Sequence, residues 1–228
     1  MNRSAWKALG EELFALDRWG DFDPARREFD AADPRTWLWR HADPHPVNIL
    51  VNSEIPPDHF ETYAPALTKG LKTLRDEAGL EMVVRALSRK GLTAAVGEIL
   101  GLFSSESLVR EQNCLWAAGN AIYAIAPKDH LEECLAVCRD PRVGSARQKL
   151  IVHLSRFKKS PEVFETLVSL LEDETARGPA MEALKKLGDP RAIPAIERTP
   201  VREGEEGIYE THQKAMALKT LAAKKSKA

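Results

Sequence analysis

The 228-residue sequence predicts an all-α protein: an α–α superhelix, built as a short right-handed α-solenoid, with a Trp/Pro-rich cap at its N-terminus. Three observations predict it. One helical phrase recurs between Glu106 and Leu221, at steps of 34, 33 and 37 residues. Within each copy the apolar residues fall at i, i+3, i+4 and i+7, the spacing of one buried helical stripe. Turns within the pairs are marked at Ser104-Ser105-Glu106, Asp140-Pro141 and Glu172-Asp173-Glu174. A self-similar period of roughly 20–50 residues marks stacked supersecondary units, each able to bury its apolar face only against its neighbours.

The elements follow in order. From Ala5 to Arg18, Trp6, Leu9, Leu13, Phe14 and Leu16 alternate with charges, which reads as one amphipathic helix. Trp19 to Pro57 is crowded with turn signals at Asp23-Pro24, Asp33-Pro34, Asp43-Pro44, His45-Pro46 and Pro56-Pro57. Four of the five tryptophans lie in the first 39 residues. Residues 1–60 therefore have the apolar bulk to cap the first helix pair, and residues 61–228 are expected to form one continuous helical domain. Tyr63, Leu67, Leu71 and Leu74 share one helix face, and Leu80, Val83, Val84 and Leu87 share the next.

The helix pairs come after these. Their first helices carry Val96, Ile99, Leu100 and Phe103; Leu131, Cys134, Leu135 and Cys138; Val163, Thr166, Leu167 and Leu170; then Ile193 and Ile196. Their second helices align as Glu106-(x2)-Val109-Arg110-(x6)-Ala117, Asp140-(x2)-Val143-Gly144-(x6)-Ile151 and Asp173-(x2)-Ala176-Arg177-(x6)-Leu184. Ser104, Ser105, Asp140 and Asp173 stand where a side-chain oxygen can cap the helix that follows. Pro127, Pro161 and Pro190 fall between pairs and read as helix starts, because the first turn has no use for the missing N–H. Thr199 to Gly207 has charge and turn formers without an apolar period and reads as a loop that stretches the last unit.

Composition excludes several classes. With 33 basic and 34 acidic residues, no global field draws this chain to nucleic acid or to an anionic membrane. No apolar run reaches the roughly 18 residues that span a bilayer. The first residues lack the apolar core of a signal peptide, and three cysteines without paired spacing suit a reducing compartment, so a cytoplasmic protein is expected.

The stretch from Ala183 through Leu187-Gly188-Asp189-Pro190-Arg191 to Ile196, with the ladder Asp173, Ala176 and Arg177, resembles the HEAT-repeat family, in particular the short bacterial repeats called phycobilisome-lyase-like. The resemblance covers about residues 92–224 and departs at Gly144, where the family usually has Arg. It implies an α-solenoid that acts mainly by binding partners and does not imply one activity. The reading adopted is a non-enzymatic scaffold, a regulatory subunit, assembly factor or toxin neutraliser, with no cofactor and no catalytic residue. The expected partner is a protein, met by exposed side chains of the second helices: Arg110, Asn113, Trp116, Asn120, Arg147, Lys149 and Arg177. Trp37 and Trp39 in the cap offer a further binding surface. Arg110 and Arg177 have a second expected role, as rungs of a ladder bonded to the adjoining unit.

Three chemical readings compete. His41-Ala42-Asp43-Pro44-His45-Pro46-Val47-Asn48 looks like the catalytic loop of UbiB-like atypical kinases, which would make Asp43 the catalytic aspartate and Asn48 a magnesium ligand. Phosphoryl transfer also needs a nucleotide-covering loop, a phosphate-binding lysine and a second metal-binding aspartate, and the 40 preceding residues are too few for that lobe. The plain reading is a turn leading into a short extended segment. His130, Cys134 and Cys138 have zinc-ligand chemistry at i, i+4, i+8, but both cysteines align with core positions, so no metal is expected. Arg110, Arg147, Arg177 and Lys214 suggest the DNA-gripping face of alkylpurine glycosylases resembling AlkD, the alternative function. Glu111, Glu174 and Glu182 offset that charge.

Overall fold

The computed structural model describes residues 3–22, 45–52 and 55–226, and among them every regular element is helical. Helix α1 (Arg3–Leu16) buries Trp6, Leu9 and Leu13. It packs on α2 (Pro46–Asn52) and on α3 (Pro57–Thr73). Proline opens both of those helices, where its missing N–H costs nothing. Asp76 caps α4 (Glu77–Leu87) by accepting the Gly79 N–H at 3.0 Å. The two stripes expected on α3 and α4 are buried throughout.

His45 corrects the extended segment expected after it. The residue leads into α2, and Val47, Ile49 and Leu50 are buried on that helix. The imidazole stacks on Trp6 with ring centroids 3.9 Å apart, donates from Nε2 to the Trp6 carbonyl at 2.8 Å and accepts the Val47 N–H on Nδ1 at 3.3 Å. Both nitrogens are used in packing the N-terminal helix. Asn48, the magnesium ligand of the kinase reading, lies on α2, while His41, Asp43, Trp37 and Trp39 lie outside the described residues.

The helix pairs follow: α5 (Val96–Gly101), then α6 (Glu106–Glu111) and α7 (Asn113–Ile125); α8 (Leu131–Arg139) with α9 (Gln148–Leu154); α10 (Pro161–Ser169) with α11 (Arg177–Leu187); α12 (Ile193–Arg198) with α13 (Glu205–Lys225). The second helices touch in succession, α4 on α7, α7 on α9, α9 on α11 and α11 on α13. The first helices touch in a parallel succession from α3 through α5 and α8 to α10. Asp140, Ser160 and Asp189 each cap the helical turn that follows, and Pro161 and Pro190 occupy first turns. Pro127 does not start a helix. Three residues separate it from α8, the last of them His130, left-handed at φ 64°. The loop after α12 is shorter than expected, because α13 begins at Glu205.

Two second helices are broken where the period predicts continuity. Gln112 turns left-handed (φ 63°) between α6 and α7. Gly144 adopts φ 56° and ψ −135°, a conformation that a Cβ would oppose, and it kinks the 3₁₀ segment Pro141–Arg147 before α9. Close packing explains another glycine. A Cβ on Gly119 would stand 2.6 Å from the Ala146 carbonyl oxygen, so α7 and the turn before α9 meet backbone to backbone. Alanine at an ordinary helical site gains about 1 kcal/mol. Here the required shift dominates, and Gly119→Ala is expected to cost about 1–3 kcal/mol. In a chain of this size that is a fall in melting temperature of roughly 3–10 °C, which calorimetry would read.

Candidate functional site

The best-supported site is a face built from the second helices. On α7, Trp116, Asn120 and Tyr123 are separated by four and three residues and so share one side. Trp116 is 47% exposed. Asn120 donates from Nδ2 to the Trp116 backbone carbonyl at 2.9 Å, which ties the amide to the helix one turn back.

Tyr123 gathers cations from three places along the chain. Lys149 on α9 lies 5.7 Å from its ring centroid, Arg156 just beyond α9 lies 4.4 Å away, and Lys186 on α11 lies 5.6 Å away. The negative face of the ring attracts such groups. Arg156 also donates to the Tyr123 carbonyl at 2.7 Å, near the C-terminal end of α7, where positive charge complements the helix dipole. Glu182 is the counter-charge: its carboxylate pairs with Lys186 at 2.7 Å and accepts the Tyr209 hydroxyl at 2.9 Å. Burial works against the ionised Glu182, but the bonds from Lys186 and Tyr209 hold it below the usual carboxylate range. The same pair keeps Lys186 above its ordinary value against the pull of burial.

In comparisons with known proteins, no family model matches this chain, and no characterised protein or solved structure does so significantly. The site therefore rests on its own geometry.

Of the residues expected to bind, Trp116, Asn120 and Lys149 join this face. Arg110 and Asn113 are exposed, and Arg110 belongs to a separate shallow cleft with Phe103, Ser104, Val109 and Arg142, near the turn that enters the second helix. Arg147 and Arg177, expected on the exposed row, are buried instead. Arg147 is only 1% exposed. It donates to the Cys138 carbonyl at 2.7 Å and the Gly144 carbonyl at 3.2 Å, and it pairs with Asp173 in the next unit. Arg177 donates to the Pro200 carbonyl at 3.2 Å, across to the following loop. Both arginines join one unit to the next, a role the sequence assigned to Arg177 and missed for Arg147. Arg110, the other expected rung, has no hydrogen bond of that kind among the described residues.

Tyr123, Arg156, Glu182, Lys186 and Tyr209 were absent from the sequence-derived set. Tyr123 carried a usable signal, since it lies seven residues after Trp116 on one helix. The others come from elements whose register on α7 only the fold reveals.

A second polar cluster sits under the N-terminal segment. Tyr63 is fully buried and donates its hydroxyl to Asp21 at 2.8 Å and to Asp17 at 3.1 Å. Burial and those two carboxylates push the phenol well above its ordinary range, so it serves as a donor. Asp17 in turn accepts the N–H groups of Asp21 and Phe22 at 2.9 and 2.8 Å, ending α1. His59 stacks on Trp19 at 4.0 Å and binds the Asp21 carboxylate at 3.1 Å. This cluster locks the chain leaving α1 onto α3. Among the described residues no group of three or more His, Cys, Asp or Glu is placed to hold a metal ion. Cys134 and Cys138 are buried, as their core alignment predicts.

Proposed function

We propose that this chain is a non-enzymatic protein-binding scaffold, a short right-handed HEAT-like α-solenoid that presents its row of second helices to a partner. The observation that carries this reading is Trp116, 47% exposed on the same helix side as a tyrosine ringed by cations from consecutive units. Large aromatic side chains and arginine are the residue types that dominate binding energy at interfaces. The solenoid reading is supported by the succession of second-helix contacts from α4 to α13. The cap assigned to residues 1–60 is supported by α1 lying on α3 and α2 lying on α4. No helix among the described residues is long and apolar enough to cross a membrane.

The glycosylase alternative asks the same face to neutralise phosphates and to aim a free acid at a flipped base. Glu182 is committed to Lys186 and Tyr209, which weighs against it. Affinity capture from extracts of the native cell, with wild type and Trp116→Ala side by side, tests the scaffold reading. A partner retained by wild type and reduced about tenfold or more by the truncation is expected for a hot-spot tryptophan. Tight duplex-DNA binding that weakens steeply between 50 and 200 mM salt, with no protein captured, would replace the scaffold with the nucleic-acid reading.

A further inference from the structure

The geometry points to an acidic peptide in extended conformation as the ligand of the Trp116–Tyr123 face, anchored by one apolar side chain on Trp116 and by paired carboxylates on the cations around Tyr123. This rests on the scaffold reading and specifies its partner.

Charge gives the class of ligand. Lys149, Arg156 and Lys186 surround one ring, and among the described residues Glu182 is the one carboxylate paired within that group. Three positive charges against one negative leave an excess that suits two carboxylates. Lys149 is exposed, and besides the ring it feels only the field of Glu182 with no hydrogen bond to it, so its ammonium can turn to a ligand. Arg156 and Lys186 are held in place by the Tyr123 carbonyl and by Glu182, which lowers the cost of ordering them on binding.

Spacing gives the form. Trp116 and Tyr123 lie seven residues apart on α7, which at the helical rise is about 10 Å. An extended peptide covers that distance in about three residues. The apolar anchor and the carboxylate pair therefore stand three residues apart in the ligand. A nucleic acid fits less well. Its affinity grows with the number of phosphates neutralised, and here three cations surround a fixed carboxylate in a chain of net charge −1.

The test is fluorescence anisotropy on the full chain with fluorescein-labelled Gly-Phe-Ser-Gly-Glu-Glu-Gly, its reversed sequence, and the counterpart of each with Gln-Gln in place of Glu-Glu. One of the two acidic peptides should bind, and its Gln-Gln counterpart should bind about tenfold more weakly. Lys149→Glu should weaken the acidic peptide by a similar factor, and Trp116→Ala should weaken both peptides of that order alike. Lys149 is exposed, so the variant's melting temperature should stay at the wild-type value; Lys149→Gln, with a smaller loss, serves as the second variant. Equal binding of acidic and Gln-Gln peptides, indifference to Lys149→Glu, or no binding at millimolar protein would each overturn the inference. So would displacement of the acidic peptide by a thymidine pentanucleotide at lower concentration than by unlabelled peptide. If these arms fail while Trp116-dependent capture of a partner persists, the peptide chemistry is wrong and the scaffold stands. If capture also fails, both fall.

Discussion

Asp173→Asn is expected to destabilise the protein by about 3 kcal/mol, although Asp173 is a turn residue with part of its side chain in solvent. The cost arises at its partner. Arg147 is 1% exposed, and neutralising Asp173 leaves its guanidinium without a counter-ion in a site that water does not reach. Removing one member of such a pair costs about 3–5 kcal/mol, and the lower end applies because the Asp173 side reaches solvent. Arg147→Met should cost about 1–3 kcal/mol, since it removes the charge and deprives the Cys138 and Gly144 carbonyls of a donor. The double variant decides the mechanism. If the penalty is a stranded charge, adding Asp173→Asn to Arg147→Met costs little more. Urea midpoints for the four proteins, converted with a common slope, give the cycle. Additive losses would mean that the two residues act separately and that Asp173 matters only through its turn bonds to Thr175.

Arg147 also shows where sequence reading succeeds and where it stops. The helix pairs were legible because burial of an apolar stripe has a period, and the stripes of α3, α4, α8 and α10 fall where that period puts them. In the repeat frame Gly144 stands in the place of Arg110 and Arg177, and the sequence alone left that position empty. The left-handed turn at Gly144 breaks the frame, and Arg147, three residues later, swings inward to join the units. A periodic alignment assumes constant backbone geometry and has no term for such a kink. Gln112 gave even less warning, because a non-glycine residue with positive φ has no strong sequence mark. His45 misled for another reason: the Asp-Pro and His-Pro pairs signal a turn and an extended segment, while the residue, its ring packed beneath Trp6 and against Gly10, leads straight into α2. Of the candidate site, Trp116, Asn120 and Lys149 on α7 and α9 were legible, and Tyr123 could have been from its place on the side of Trp116. The rest depends on which side of α11 and α13 turns toward α7, and that is a property of packing.

The second large effect is a loss of stability as pH falls from 6.5 to 4, before most carboxylates protonate. His153 is fully buried in α9. Its Nδ1 accepts from Arg156 at 3.0 Å, so its proton sits on Nε2, which has no partner among the described residues. Burial first, and the Arg156 charge second, push the imidazole down from 6.5 to about 4. The unfolded chain thus binds a proton that the folded chain refuses. The sign follows: the contribution of neutral His153 is fully present above pH 6.5, declines through the interval and is lost below about 4. The full loss is roughly 3 kcal/mol, and on the order of half of it has gone by pH 5.5. Asp17, Asp173, Glu182 and Asp189 are all held below their ordinary values, so their contributions start to decline only as pH reaches those ordinary values, about 4, and are gone once it has fallen through the depressed ones. The windows therefore separate. His153→Leu should flatten the difference between pH 7.5 and 4.5 urea melts and leave the deeper acid transition in place; an unchanged slope would place the titration elsewhere. Arg156 connects this to the binding face, because the guanidinium beside His153 is also the cation nearest Tyr123. Protonating His153 sets two positive charges against each other at hydrogen-bond distance. That cost keeps His153 neutral in the folded chain down to about pH 4, so Arg156 stays on Tyr123 through mild acid, and binding on that ring should hold constant between pH 7.5 and 5.5 while stability falls.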